Sequence, residues 1–240
     1  RLVQLAVALM FACAMFHKFL HGHFTLRWAL SDNLRHHLLV RFDLAGLPRP
    51  AVAEGQVASV VFFTLRFRAD MRAWLADVTA RGGWAGGLTS WFGSSLLDTS
   101  PFNTPWRRDK GALWDLAPHM ISLLWAALGP VTSVTADAGP ADVSHLILHH
   151  EGGASSTVTV TQNGGEAAAG FEAYLWSDHG RSVAPPLLPD PVPALSTALT
   201  ELAANIRSGR TEHPCDVRFG RNVGHVVAEA QRQIDQRQRG

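Results

Sequence analysis

The stretch 105–129, PWRRDKGALWDLAPHMISLLWAALG, constrains this chain more than any other. Asp115 and His119 stand four apart, the spacing that puts two side chains on one face of a helix. Met120, Ile121, Leu123, Leu124, Ala127 and Leu128 recur at helical spacing and predict a buried stripe. Gly129-Pro130 ends the helix. Pro118 leaves its start open. Either the helix begins near Gly111 and bends where Pro118 lacks an N–H, or it begins near Pro118. In both cases Asp115 and His119 lie about one turn apart.

The order Trp106-Arg107, then Gly111-Ala112-Leu113-Trp114-Asp115-Leu116-Ala117-Pro118-His119, resembles the second-domain motif of the glucose–fructose oxidoreductase/inositol dehydrogenase/MocA family, W-R followed by G-x-L-x-D-x-G-x-H. Ala117 stands where that motif has Gly, and Ser122 where it often has a second Asp. The resemblance implies an Asp and a His lining a sugar or polyol pocket beside a nicotinamide ring, with the His acting together with a Lys in proton transfer.

Residues 57–65, VASVVFFTL, form a continuous β-branched and aromatic run, which predicts a strand buried on both faces. Residues 69–80 predict a helix carrying Met71, Trp74, Leu75 and Val78 on one side. Arg66-Phe67 between them is similar to the pair that ends the last nucleotide-domain strand of the family, which implies a place for Arg66 near the cofactor; a strand-end charge in water is the other reading. GGWAGG at 82–87 predicts a loop, 88–94 a strand and 95–106 a loop bordering a pocket. The period then changes to two: 131–136, 143–149, 155–162 and 169–176 are strand candidates separated by Gly, Asp and Asn turns. Residues 182–193 are Pro-rich and irregular, and 195–208 and 217–236 predict helices.

The expected fold is therefore α+β: a mostly antiparallel open sheet with helices on one face, preceded by a remnant of a Rossmann-type α/β domain. The corresponding division is 1–50 unassigned, 51–82 the last strand and helix of a nucleotide domain, and 83–240 a domain for substrate binding and oligomerisation.

The family's nucleotide domain holds its dinucleotide on a Gly-rich turn at a helix N-terminus and carries a Glu-Lys-Pro triplet. Neither G-x-G-x-x-G nor that triplet occurs among these 240 residues. The resemblance covers roughly residues 55–240. Residues 1–50, rich in Arg, His, Leu and Ala, are expected to be a truncated or misread remnant, with a genuine alternative N-terminus as the rival. Their apolar run 2–16 has the look of a signal peptide and equally of a buried helix; it is short of the roughly 20 residues of a membrane span. His17, His21 and His23 have no acidic or cysteine companions in a recognisable pattern, and no metal site is expected.

A net charge of +1 gives no electrostatic case for nucleic acid, and two cysteines are too few for a disulfide scaffold, so a cytoplasmic protein is the default. Histidine suits proton transfer in alcohol oxidation, and a nearby carboxylate can fix its tautomer and raise its pKa. His119 and Asp115 are accordingly the catalytic candidates. A capping Asp and a half-buried core His are the bland alternative. Lys110, Arg107 and Trp106 are the substrate-binding candidates, against a solvated basic loop. His145, His149 and His150 are expected on the surface of a sheet. The resemblance implies an NAD- or NADP-dependent oxidoreductase acting on a small sugar, polyol or related carbonyl compound, paired with a second copy through 143–176. The rival class is a non-catalytic association or ligand-binding module.

Overall fold

The computed structural model describes residues 58–98, 100, 102–187 and 190–239. The expectations for residues 1–50 and for the histidines at 17, 21 and 23 lie outside them. The chain divides into two compact units, one holding 63–195 with 223–240, the other 196–222 together with the residues up to 62.

The larger unit opens with one helical turn, α1 (Thr64–Phe67), and α2 (Ala69–Arg81). Met71, Trp74, Leu75 and Val78 form the buried side of α2, the side its spacing predicts. The strand expected at 57–65 is absent: 58–63 adopt no regular element and Thr64–Phe67 is helical. A strand exists only where a neighbour completes its ladder, and no ladder to this stretch occurs among the described residues.

Next come β1 (Gly86–Phe92), α3 (Pro105–Asp115), α4 (Ala117–Leu128), β2 (Val131–Ala138), β3 (Ser144–His150), β4 (Ser155–Thr161), β5 (Gly170–Ser177) and β6 (Gly180–Val183). The strands form one open sheet in the order β2-β3-β4-β1-β5-β6. All pairings are antiparallel except β1 with β4. β3 alternates buried and exposed along its whole length, as a half-buried strand must. The register carries that alternation across the sheet: Leu148, Ser156, Gly87 and Leu175 form one inward row, Leu146, Val158, Thr89 and Ala173 the next, and Ser144, Val160, Trp91 and Phe171 the third. α4 packs on β1 and β4 with Met120, Ile121, Leu123 and Leu124 almost fully buried, which is most of the predicted stripe. Ala127 and Leu128 are only half-buried.

Two strand boundaries differ from expectation. β1 starts inside the presumed Gly-rich loop, because Gly86 lets the Trp176 ring lie across its Cα, where any Cβ would collide. β6 follows a tight turn in which Gly180 takes φ +105°.

Helices α5 (Val192–Ser208) and α6 (Val217–Arg239) contribute residues to both units. In the larger unit, the Gln233 amide of α6 accepts from Ala136 N–H (3.0 Å) and donates to Val134 O (2.9 Å). It thus satisfies the free edge of β2 as another strand would. In the smaller unit Val61 N–H donates to Cys215 O (2.7 Å) and Val217 N–H to Ser59 Oγ (3.1 Å). No helix among the described residues is long and apolar enough to cross a membrane.

Candidate functional site

The site grows from a broken helix. Thr104 caps α3 by accepting from Arg107 N–H, and Pro105 occupies the first turn, where its missing N–H costs nothing. Gly111 interrupts α3 with φ 64° and ψ −171°, a conformation open essentially only to glycine. Leu116 closes α3 and opens α4, so Pro118 falls in the first turn of a new helix. Asp115 and His119 therefore stand on two successive helices rather than on one face of a single helix.

Asp115 is held from two sides. Its Oδ2 accepts from Arg107 Nε at 2.8 Å and from Gln162 Nε2 at 2.5 Å. Arg107 also donates to Phe102 O and lies over the Phe102 ring. His119 sits between aromatic neighbours, with Phe63 edge-on at 6.2 Å and Trp91 tilted at 6.0 Å, at the third inward row of the sheet. The residue is half-buried, and its Nδ1 is sealed from solvent with no hydrogen-bond partner among the described residues. Burial holds the His119 pKa below its usual 6.5, and the negative charge of Asp115 opposes that shift. The imidazole is thus neutral at neutral pH and faces a charge that would stabilise its protonated form.

Trp106 Nε1 and Gln162 Oε1 are likewise buried without a hydrogen-bond partner among the described residues. Buried polar groups are rarely left so, and each such exception marks a place where something else binds or strain is stored.

The other predicted residues fall elsewhere. Lys110 pairs with Asp109 (2.9 Å) and borders a cleft of about 230 Å³ with Arg108, Asp142, Gln231 and Gln238, whose lining includes neither Asp115 nor His119. Arg66 donates from Nη1 to Ser122 O at 3.0 Å, buttressing α4 one turn beyond His119. Ser122 is itself buried and donates to His119 O. His145 and His149 are exposed, as expected, but His150 is a core residue.

His150 bridges Gly129 O, through Nδ1, and Ser156 Oγ, through Nε2, both at 2.8 Å. A carbonyl only accepts, so Nδ1 carries the proton and the neutral ring accepts at Nε2. Burial lowers its pKa from 6.5, more than the Gly129 bond raises it; the charge of His149 lowers it further. The unfolded chain therefore binds protons that the folded one refuses. Stability should be full above pH 6.5 and fall as pH drops below it. His119, also lowered, adds to the same slope. We expect denaturant midpoints to fall between about pH 7 and 5, and the fall to be shallower in His150→Gln; identical slopes would place the acid sensitivity elsewhere.

Two residues gave no warning in the sequence. Asp142, in the β2–β3 turn, has φ 61°. Its Oδ2 accepts from Ala112 N–H (2.9 Å) and Gln162 N–H (3.3 Å), tying the restart of α3 to the end of β4. Burial pushes its carboxyl above the usual 3.8, the Ala112 and Gln162 bonds pull it back, and the charge of Asp115 raises it again. Gln162 is fully buried just after β4. The available signal was a polar Thr-Gln-Asn step at a strand end.

An open mixed sheet, helices on one face and an Asp–His pair beside its inward Trp91 row define an α+β domain with a buried polar site. The sequence model of the GFO/IDH/MocA C-terminal domain matches residues 49–177, more than half of the chain. The chain belongs to that family. No curated protein sequence matches it significantly. Among solved structures, levoglucosan dehydrogenase in complex with NADH and levoglucosan superposes with a TM-score of 0.60 at 14% identity, covering 75% of this chain and 65% of that one. Myo-inositol dehydrogenase from Corynebacterium glutamicum gives 0.59 at 13%, covering 72% and 61%. UDP-N-acetylglucosamine 3-dehydrogenase from Acidithiobacillus ferrooxidans gives 0.58 at 12%, covering 86% and 68%. At such identities these likenesses establish the fold, and the chain spans less than two thirds of the first two proteins.

Proposed function

We propose that this chain supplies the substrate-binding and proton-transfer half of an NAD- or NADP-dependent cytoplasmic oxidoreductase acting on a sugar, polyol or related carbonyl compound. The observation that carries the proposal is neutral His119 near the doubly held carboxylate of Asp115, with buried polar atoms of Trp106 and Gln162 lacking partners among the described residues. Trp106 Nε1 only donates, Gln162 Oε1 only accepts, and His119 Nδ1 can do either. A hydroxyl group both donates and accepts, so a polyhydroxylated ring answers all three. A neutral imidazole can take the proton of the hydroxyl being oxidised, and Asp115 stabilises the imidazolium that results.

The described residues fit the substrate but not the dinucleotide's cradle. Among the described residues no Gly-rich turn precedes an α-helix, and Arg66 donates to Ser122 O. A bound nicotinamide would accept the hydride, and the chain's own residues would hold the substrate and take its proton. The rival reading is a non-catalytic ligand-binding module. The deciding measurement is binding of myo-inositol and levoglucosan to the chain by ligand-observed NMR, followed by oxidation of the bound compound with NAD or NADP. Binding with turnover supports the oxidoreductase, binding without turnover the module. Binding that survives Asp115→Ala unchanged contradicts the site.

The outer face of the sheet supports a homo-oligomer. Ile147 is 46% exposed and Trp176 38% exposed, on strands within the series 143–176. Exposed large apolar side chains on an open sheet are commonly covered by a second copy. Light scattering should give at least twice the mass of one chain, and Ile147→Lys should lower it. A monomer at high concentration would count against this pairing.

A further inference from the structure

We propose that Gln162 reads a hydroxyl group of the substrate, through its side-chain oxygen, and so sets specificity at the Asp115–His119 site. The inference rests on the proposed polyhydroxylated substrate and adds a residue outside the sequence motif.

The argument is one of forced orientation. A carboxylate can only accept, so the Gln162 amide must turn Nε2 toward Asp115 Oδ2, as it does at 2.5 Å. That choice points Oε1 the other way, where it is buried and has no hydrogen-bond partner among the described residues. The side chain is fully buried and held at Nε2, which leaves the amide little room to swing, and the backbone that carries it is held as well. Gln162 N–H donates to Asp142 Oδ2 (3.3 Å), and Gln162 O accepts from Leu96 N–H (3.0 Å). A fully buried acceptor held rigidly beside the acid–base pair is a fixed receptor for one O–H or N–H donor. Were Gln162 only a strut for Asp115, its second polar atom would need no special placement, and a buried oxygen without a donor is unfavourable in itself. Arg107 holds the same Asp115 oxygen, so the carboxylate keeps an ion-pair partner when Gln162 is replaced.

A site built to hydrogen-bond a substrate hydroxyl rejects analogues that lack it more strongly than an apolar pocket rejects a missing methylene. The test is binding of D-glucose, D-galactose, D-mannose and scyllo-inositol to the chain by NMR, with the monodeoxy analogues of the tightest binder. In the wild type, removal of one particular hydroxyl should weaken binding at least about tenfold. Gln162→Met, which keeps the length and apolar bulk but removes the acceptor, should weaken the parent compound by a similar factor. It should leave the affinity of that one deoxy analogue unchanged. The side-chain amide resonances of Gln162 in the wild type should shift when the parent compound binds and not when the analogue binds, a readout that does not depend on the variant folding. Equal affinity of wild type and Gln162→Met for every compound would overturn the assignment of Gln162 while leaving the proposed function standing. Absence of binding by any compound to the wild type would overturn the polyhydroxylated-substrate reading, and this inference with it.

Discussion

Replacing His119 with Ala should lower kcat by about 10²–10⁴-fold in the proposed oxidoreductase reaction, the usual worth of a positioned acid–base group. The expectation rests on the neutral ring. Burial holds the His119 pKa below 6.5, so at neutral pH the imidazole is ready to accept the hydroxyl proton. In this environment the acid limb of the oxidation profile should lie below pH 6.5 and vanish in the variant. Dinucleotide affinity should change little, because none of the groups around His119 resembles a pyrophosphate site. Asp115→Asn should impair turnover less. It keeps an oxygen for Arg107 or Gln162 but removes the charge that favours the imidazolium. If His119→Ala leaves kcat within about threefold of the wild type, well short of a general acid–base contribution, His119 is a core histidine and the catalytic assignment fails.

The parts of this fold written in local periodicity were legible. The alternation of β3 and the stripe Met120, Ile121, Leu123 and Leu124 could be read directly, because each residue's burial depends on its position within one element. What long-range contact decides was not legible. Gly86-Gly87 signals a turn, yet it lies inside a strand because the Trp176 ring from β5 requires a missing side chain there. The parallel pairing of β1 with β4 joins segments far apart in sequence, and no local pattern encodes it. The run at 57–65 has strand composition, but composition does not supply the neighbour that a strand requires.

The site divides in the same way. Asp115, His119 and Arg107 could be named as candidates because they sit within one short stretch and match a family's order of residues. Gln162 and Asp142 come from the end of a strand and from a turn. They meet α3 only in the folded chain, through single hydrogen bonds to Asp115 and to the backbone of Ala112. Lys110 shows the converse. It is adjacent in sequence to the motif, but the break at Gly111 sends it to a different cleft.

That break supplies the second large expected effect. Gly111→Ala should destabilise the protein by about 2–6 kcal/mol, from two separable causes. The backbone at φ 64° and ψ −171° costs a residue with a Cβ about 1–3 kcal/mol. The new methyl would also run into the Asp142 carboxylate and displace it from Ala112 N–H, leaving buried polar groups unpaired at about 1–3 kcal/mol. For a chain of this size the melting temperature should fall by roughly 4–24 °C. Asp142→Gly in the same chain would remove the collision but not the backbone cost. The double variant should therefore lie below Asp142→Gly alone by less than Gly111→Ala lies below the wild type. Because Asp142 also receives Gln162 N–H, the Gly111→Ala chain should bind polyols more weakly even where it remains folded. A melting temperature within about a degree of the wild type, where a change of 1 kcal/mol already moves it by a few degrees, would show that α3 can straighten through position 111. The placement of Asp115 would then not depend on the break.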